Sequence, residues 1–212
     1  MIKIQTFVFN GFQENTYLLY DETNEAVIID PGCYSSSEQV ELVNFITKNN
    51  LKVVKLLNTH CHIDHVLGNN FVCKKFNVDL SIHQLDLATL HATTEYGHLY
   101  GFNVDKSPEP THFLNEGDKI TFGNSTLDVL FTPGHAPGHV VFVNHEQKFV
   151  INGDVLFRGS IGRTDLPSGD HHTLLDSIRT KLFVLPNNFT VHTGHGPTTT
   201  IGYEKQYNPF LN

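Results

Sequence analysis

The chain has 212 residues, of which 39% are hydrophobic and 17% charged, a size and balance that fit one soluble globular domain, residues 1–212, with a substantial core. Its formal net charge of −8, with no basic run, argues against a nucleic-acid partner, because phosphate backbones are held by clustered Lys and Arg. The start, Met1-Ile2-Lys3-Ile4-Gln5-Thr6, has neither a basic stretch nor a continuous apolar segment, so no export signal, membrane span or membrane partner is expected, and a cytoplasmic location is. Cys33, Cys61 and Cys73 are odd in number and widely spaced, which fits free thiols in a reducing compartment better than a disulfide framework.

Taken in order, apolar and β-branched runs predict strands near 2–9, 15–20, 25–30 and 53–58, with a helix near 36–49 between the last two. A second helix is expected to begin at Asp64, weakened by Gly68. A short strand near 79–82 and a helix near 84–91 follow. Residues 93–118 carry no clear period and read as a long loop, in which Tyr96, His98, Tyr100 and Phe102 either pack the loop onto the domain or line a site. Strands near 119–122, 126–131, 140–143, 148–152 and 189–193, with a helix near 172–182, complete a second half like the first. Two similar halves suggest two sheets packed face to face with helices outside, an α+β arrangement.

The chemistry is concentrated where strands end. Residues 59–65 read Thr-His-Cys-His-Ile-Asp-His, which sets His60, His62, Asp64 and His65 within six positions. Three imidazoles so close are hard to satisfy with hydrogen bonds alone, and a metal ion resolves this by taking one ring nitrogen of each. The run 125–131 leads into Thr132-Pro133-Gly134-His135, the run 148–152 into Gly153-Asp154, and the run 189–193 into Gly194-His195. If these strand ends share a rim, they supply five histidines and two aspartates. Such a set is too large and too poor in thiolates for a closed structural zinc site, and is enough for two adjacent ions with open positions for water.

In these motifs the chain resembles the metallo-β-lactamase superfamily. Besides T-H-x-H-x-D-H, the likeness rests on Val27-Ile28-Ile29-Asp30-Pro31-Gly32, on 132–139 (Thr-Pro-Gly-His-Ala-Pro-Gly-His), on Gly153-Asp154 with Gly159-Ser160-Ile161-Gly162-Arg163, and on Gly194-His195-Gly196-Pro197, and so spans almost the whole chain. The resemblance implies a four-layer αββα sandwich in which His60, His62 and His135 hold one metal, Asp64, His65 and His195 hold a second, and Asp154 bridges them. Asp64 and Asp154 are then the candidate catalytic carboxylates.

Within the superfamily the likeness is to short type II glyoxalase (hydroxyacylglutathione hydrolase)-like enzymes, which lack the C-terminal helical domain that completes the glutathione site in longer members. The function this implies is thioesterase cleavage of an S-acylglutathione such as S-lactoylglutathione, a small-molecule substrate, by attack of a metal-bridging hydroxide. Ester or lactone cleavage could use the same parts. Two divalent ions are expected, zinc foremost, with iron or manganese also compatible with these ligands.

The chief alternative is a persulfide dioxygenase, which would use His60, His135 and Asp154 as an iron triad; a non-catalytic metal module, or the diiron half of an oxidoreductase, is the third. The acidic charge disfavours the nuclease branch. The β-lactamase branch is disfavoured because its best-known class places Cys where this chain has Asp154. Arg163 is either a surface charge or the partner of a substrate carboxylate. Asp30 either makes a turn or orients a ligand imidazole, His139 is expected to support the site more than to ligate, and Cys61 is expected to be a buried structural thiol facing away from the metals.

Overall fold

A computed structural model describes residues 1–211, which form two compact units, Met1–Phe113 with Thr121–Ser125 and Leu114–Ile120 with residues 126–211. The first unit is built on a six-stranded sheet whose spatial order is its chain order: β1 (Lys3–Phe9), β2 (Glu14–Tyr20), β3 (Glu25–Ile29), β4 (Lys52–Leu57), β5 (Leu80–Ile82) and β6 (His112–Phe113). The first three strands are antiparallel, joined by tight turns in which Asn10, Gln13 and Asn24 take left-handed backbone conformations that Asn tolerates well. From β3 onward neighbours are parallel, so each link must cross over.

The first crossover is α1 (Ser36–Lys48). It starts with a capping box in which Ser35 Oγ accepts from the Glu38 amide while the Glu38 carboxylate accepts from the Ser35 amide. Its Leu42 and Ile46 pack with Leu18, Ile28, Leu56 and Leu80 of the sheet, and with Val72 and Leu90 of later helices, to make the core of this unit. The helix expected from Asp64 is instead a single turn, α2 (Ile63–Val66), followed after a break by α3 (Asn69–Phe76). Gly68 makes the break: a β-carbon there would lie 2.5 Å from Cys33 Sγ and 2.7 Å from the Pro31 carbonyl, which accepts the Gly68 amide at 2.7 Å. The expected helix near 84–91 is displaced and longer, α4 (Leu87–Tyr96), preceded and followed by 3₁₀ turns at Gln84–Asp86 and Gly97–Tyr100. The long loop therefore shrinks at its N-terminal side, because a Thr-rich helix showed no amphipathic period.

The second unit carries most of the other six-stranded sheet, ordered β14-β13-β10-β9-β8-β7, where β7 is Lys119–Phe122, β8 Ser125–Phe131, β9 Val140–Asn144, β10 Phe149–Gly153, β13 Thr190–Thr193 and β14 Thr199–Thr200. A small hairpin of β11 (Leu156–Phe157) and β12 (Ser160–Ile161) follows β10. Every residue of β9 and β10 is buried, which explains their near-continuous Val, Ile and Phe content. The helix α5 (His171–Ser177) is capped by Asp170, which accepts the Thr173 amide, and runs on into a wider helical turn at Ile178–Leu182. Leu174, Ile178 and Leu182 pack with Val141, Val150 and Val191.

The last helix, α6 (Ile201–Tyr207), was not anticipated. Its buried Glu204 accepts from Gly159 N at 3.0 Å, Asn208 Nδ2 at 2.8 Å and Thr199 Oγ1, tying the small hairpin to the end of the chain. Among the described residues no helix is long and apolar enough to cross a membrane.

Candidate metal centre

In the first unit the ligand run leaves β4 as Asn58-Thr59-His60-Cys61-His62 and enters α2 with Asp64 and His65. The extended backbone of His62 caps that helix, so His60 and His62 lie on one side of an extended segment and Cys61 on the other. The rings of His60 and His62 are 4.8 Å apart, centre to centre, and those of His60 and His65 4.2 Å. His65 Nε2 lies 3.7 Å from Asp64 Oδ2. Cys61 is fully buried, and its amide donates to Asp86 Oδ2 at 2.7 Å, so Asp86 holds the middle of the run.

Asp30 decides how these rings are presented. It sits at the end of β3 with φ 51 and accepts from the Thr59 amide at 2.7 Å, from Thr59 Oγ1 at 2.5 Å and from His65 Nδ1 at 3.2 Å. An ionised carboxylate can only accept, so each of these contacts has a fixed direction. Thr59, having given its proton to Asp30, accepts from His60 Nδ1 at 3.0 Å. Both His60 and His65 are thereby held as Nδ1–H tautomers, with Nε2 left as the lone-pair donor. Asn58 adds support, donating to the His65 carbonyl at 3.0 Å while accepting from Asn69 Nδ2 at 2.9 Å. Of the two roles weighed for Asp30, its contacts fit orientation of candidate imidazoles, His65 directly and His60 through Thr59, and its φ of 51 places it in the turn as well.

The second unit presents its donors in the same way. His135 follows Gly134, whose φ of 129 and contact with Leu174, 2.3 Å from where a β-carbon would stand, require glycine. His135 Nδ1 donates to the Arg163 carbonyl at 2.7 Å, which again leaves Nε2 forward. Asp154 Oδ2 lies 3.6 Å from His135 Nε2 and 3.5 Å from His195 Nε2, between the two rings. His139 is fully buried and accepts the Asp154 amide on Nε2 at 3.1 Å, so it fixes Asp154 and does not face the same way as the other rings. Gly162 is needed because a β-carbon would fall 1.9 Å from the Asp154 carbonyl oxygen.

A family model described as the metallo-β-lactamase superfamily matches residues 9–202. The chain belongs to that superfamily. It has the metallo-β-lactamase fold, a mixed α+β fold with two sheets, and is a metallo-hydrolase of a superfamily that binds divalent metals. Among curated proteins it is 38% identical to the hydroxyacylglutathione hydrolase GloC of Haemophilus influenzae, over 100% of this chain and 99% of that one. Among solved structures it is similar to the BLEG-1 B3 metallo-β-lactamase, with TM-score 0.90, 36% identity and full coverage of both chains. It is also similar to TTHA1623 in a di-iron-bound form, with TM-score 0.88, 37% identity and coverage of 98% and 100%.

The donor set fits the metals that this membership implies. His60, His62 and His65 offer borderline nitrogen and Asp64 and Asp154 hard oxygen, a mixture suited to zinc, iron or manganese. Among the described residues no cysteine joins a group of side chains close enough to share an ion. Burial pushes the Cys61 thiol well up from its ordinary value, Cys33 is pushed up to about 12 and Cys73 to about 11.

The first unit thus brings together His60, His62, Asp64 and His65, and the second His135, Asp154 and His195. Arg163 is placed differently from a waiting anion site. Its guanidinium is gripped from two sides by Asp165, Nε to Oδ1 at 2.7 Å and Nη2 to Oδ2 at 2.8 Å, on the wall of a cavity of about 350 Å³ that Thr164, His171 and Phe210 also line.

The aromatic residues near 96–102 pack with the tip of the first hairpin: Phe12 lies 5.8 Å from both Tyr100 and Phe102, and Tyr34 lies 5.0 Å from Phe102. Burial, then the neighbouring Tyr100, Asp64 and Cys61, pushes the Tyr96 phenol up to about 12. Sequence reasoning passed over Thr59, Asn58 and Asp86 as supports. The first two flank the ligand run and could have been read from it, whereas Asp86, 25 residues from Cys61, gave no local signal.

Proposed function

We propose that the protein is a glyoxalase II-type thioesterase, cleaving S-acylglutathiones such as S-lactoylglutathione at a centre of two divalent ions, zinc foremost. In this reading His60, His62 and His135 hold one ion, Asp64, His65 and His195 the other, and Asp154 bridges them. Bound there, the ions would supply a water ionised near neutral pH and polarise the thioester carbonyl. The chain's own part is preorganisation. Asp30 and the Arg163 carbonyl point the Nε2 lone pairs of His60, His65 and His135 forward before any ligand arrives. Asp154 is held from behind by His139 and so contributes its carboxylate at a fixed place. A thiolate leaves without a proton donor, so no further acid is required of the chain.

Arg163 would bind a carboxylate of the glutathione portion once Asp165 releases it. The substrate is a small molecule, the location cytoplasmic, and residues 1–212 act as one domain without a nucleic-acid or membrane partner. The observation that carries the reading is the ready-made presentation of imidazole Nε2 atoms beside Asp64 and Asp154, together with likeness to GloC along the whole chain.

Likeness to a protein solved in a di-iron-bound form supports iron beside zinc as a metal to load; with one iron on His60, His135 and Asp154, the second reading is a persulfide dioxygenase. Purified protein loaded separately with zinc and with iron should be given S-D-lactoylglutathione, a simple lactone, a β-lactam, and glutathione persulfide with oxygen uptake recorded. Fast hydrolysis of the thioester is expected. Oxygen uptake by the iron form without thioester turnover would replace the proposal with the dioxygenase.

A further inference from the structure

We propose that Glu14 is a positioning residue for His65, a second carboxyl set behind that imidazole to strengthen its hold on a metal ion. The inference rests on the reading of Asp64 and His65 as metal ligands. Glu14 opens β2 and is fully buried. One of its oxygens, Oε2, accepts from Thr16 Oγ1 at 2.8 Å, and that hydroxyl in turn accepts the Gly32 amide at 2.9 Å. The other, Oε1, is buried with no hydrogen-bond partner among the described residues and lies 3.8 Å from His65 Nδ1. Among the described residues His65 is its sole basic neighbour within 4.0 Å.

A buried carboxyl with a bare oxygen weakens a fold, and an apolar or amide side chain of the same size would serve packing better. The surroundings are nonetheless shaped to keep it. A β-carbon on Gly32 would stand 2.2 Å from Glu14 Oε2 and 2.8 Å from the Asp64 carbonyl, so the turn after Asp30 can pass only as glycine. Asn10, at the end of the strand paired with β2, donates to both the Gly32 and the Asp64 carbonyls at 3.0 Å, locking the same turn to the ligand loop.

Asp30 already takes the His65 Nδ1 proton at 3.2 Å, so Glu14 is not needed to choose the tautomer. Burial pushes the Glu14 carboxyl well up from its ordinary value and His65 opposes that, so what the geometry adds is a second carboxyl oxygen on the side of the ring away from Nε2, 3.8 Å from Nδ1. An imidazole that gives its Nε2 lone pair to a cation becomes electron-poor, and a carboxyl oxygen at Nδ1 makes it a better donor.

The test is a chelator competition with Zn²⁺ alone on the full-length wild type, Glu14→Gln and Glu14→Asp, alongside thermal melts of the metal-free proteins. Wild type is expected to hold two zinc ions. Glu14→Gln should bind one of them about tenfold or more weakly and the other unchanged, with a metal-free melting temperature no lower than wild type. Glu14→Asp, which keeps the carboxyl but withdraws it by one methylene, should show a smaller loss and decides the matter if the Gln variant does not fold. Wild-type affinity for both ions in the folded variants would overturn the proposal, as would a weakening matched by a lower metal-free melting temperature, which marks a structural role. Fewer than two zinc ions on wild type would remove the ligand assignment itself.

Discussion

Asp30→Asn reverses the direction of a hydrogen-bond relay while leaving the backbone alone, because Asn is among the few residues at ease with the φ of 51 found there. The amide oxygen can still accept the Thr59 amide, now at 2.7 Å from Asp30 Oδ1. In place of Oδ2, however, stands an NH₂ group that must donate to Thr59 Oγ1 and face His65 Nδ1. Thr59 then turns its proton toward His60 Nδ1, and both histidines are driven to the Nε2–H tautomer, which has no lone pair on the side that faces the ligand.

Loss of one such supporting partner typically costs about 10–100-fold in metal affinity, or ~1.4–2.7 kcal/mol. Here one substitution reaches a ligand of each ion, so both should weaken by that amount. Competition against a chromophoric chelator reads the two affinities directly. If Asp30→Asn holds both ions within about threefold of wild type, the relay is not what sets the tautomers.

Asp154→Asn should lower both metal occupancy and thioester turnover, the latter by about 100-fold or more, in a metal analysis paired with initial rates. Full occupancy and full rate would remove the bridging role. His139→Ala should leave the Asp154 amide buried without its acceptor, cost about 1–3 kcal/mol in a denaturant melt and reduce the rate, with His139→Gln recovering part of both.

Asp21 is buried, which by itself raises its carboxyl, but hydrogen bonds from Thr23, Ser125 and Asn124 outweigh that and bring it to about 2. Its folded value lies below the unfolded one near 4, so its contribution, on the order of 2 kcal/mol, is present above about pH 4 and lost as the pH falls toward 2. The stability gap between wild type and Asp21→Asn should therefore close over that window. The three thiols, all shielded or pushed up, should resist alkylation at pH 8 in the native protein and react in denaturant, counted by mass spectrometry.

Much of the candidate site could be read from the chain because its ligands are bunched or stand directly after strand-like runs. The run His60 to His65 and the endings at His135, Asp154 and His195 could be picked out as candidates from that alone. The element positions were legible for the same reason, since β9 and β10 are continuous apolar runs and α1 carries its own capping box.

What stayed hidden depends on partners distant in sequence. Nothing near Gly68 says that Cys33 and Pro31 will break the helix there, and nothing in Glu14-Asn15-Thr16 says that its first residue is buried against His65. Helix α4 runs past the expected end near 91 because Leu87-Ala-Thr-Leu-His-Ala-Thr-Thr presents no clear apolar stripe to mark its extent. The pairing of Arg163 with Asp165 was legible, since the two stand only two residues apart.

The central claim is that two ions on these seven ligands cleave a thioester. It is tested most directly by titrating metal-free protein with Zn²⁺ while following S-D-lactoylglutathione hydrolysis. The account predicts a rate that climbs with added metal and levels off at about two ions per chain. A protein that takes up two ions and leaves the thioester intact would contradict it.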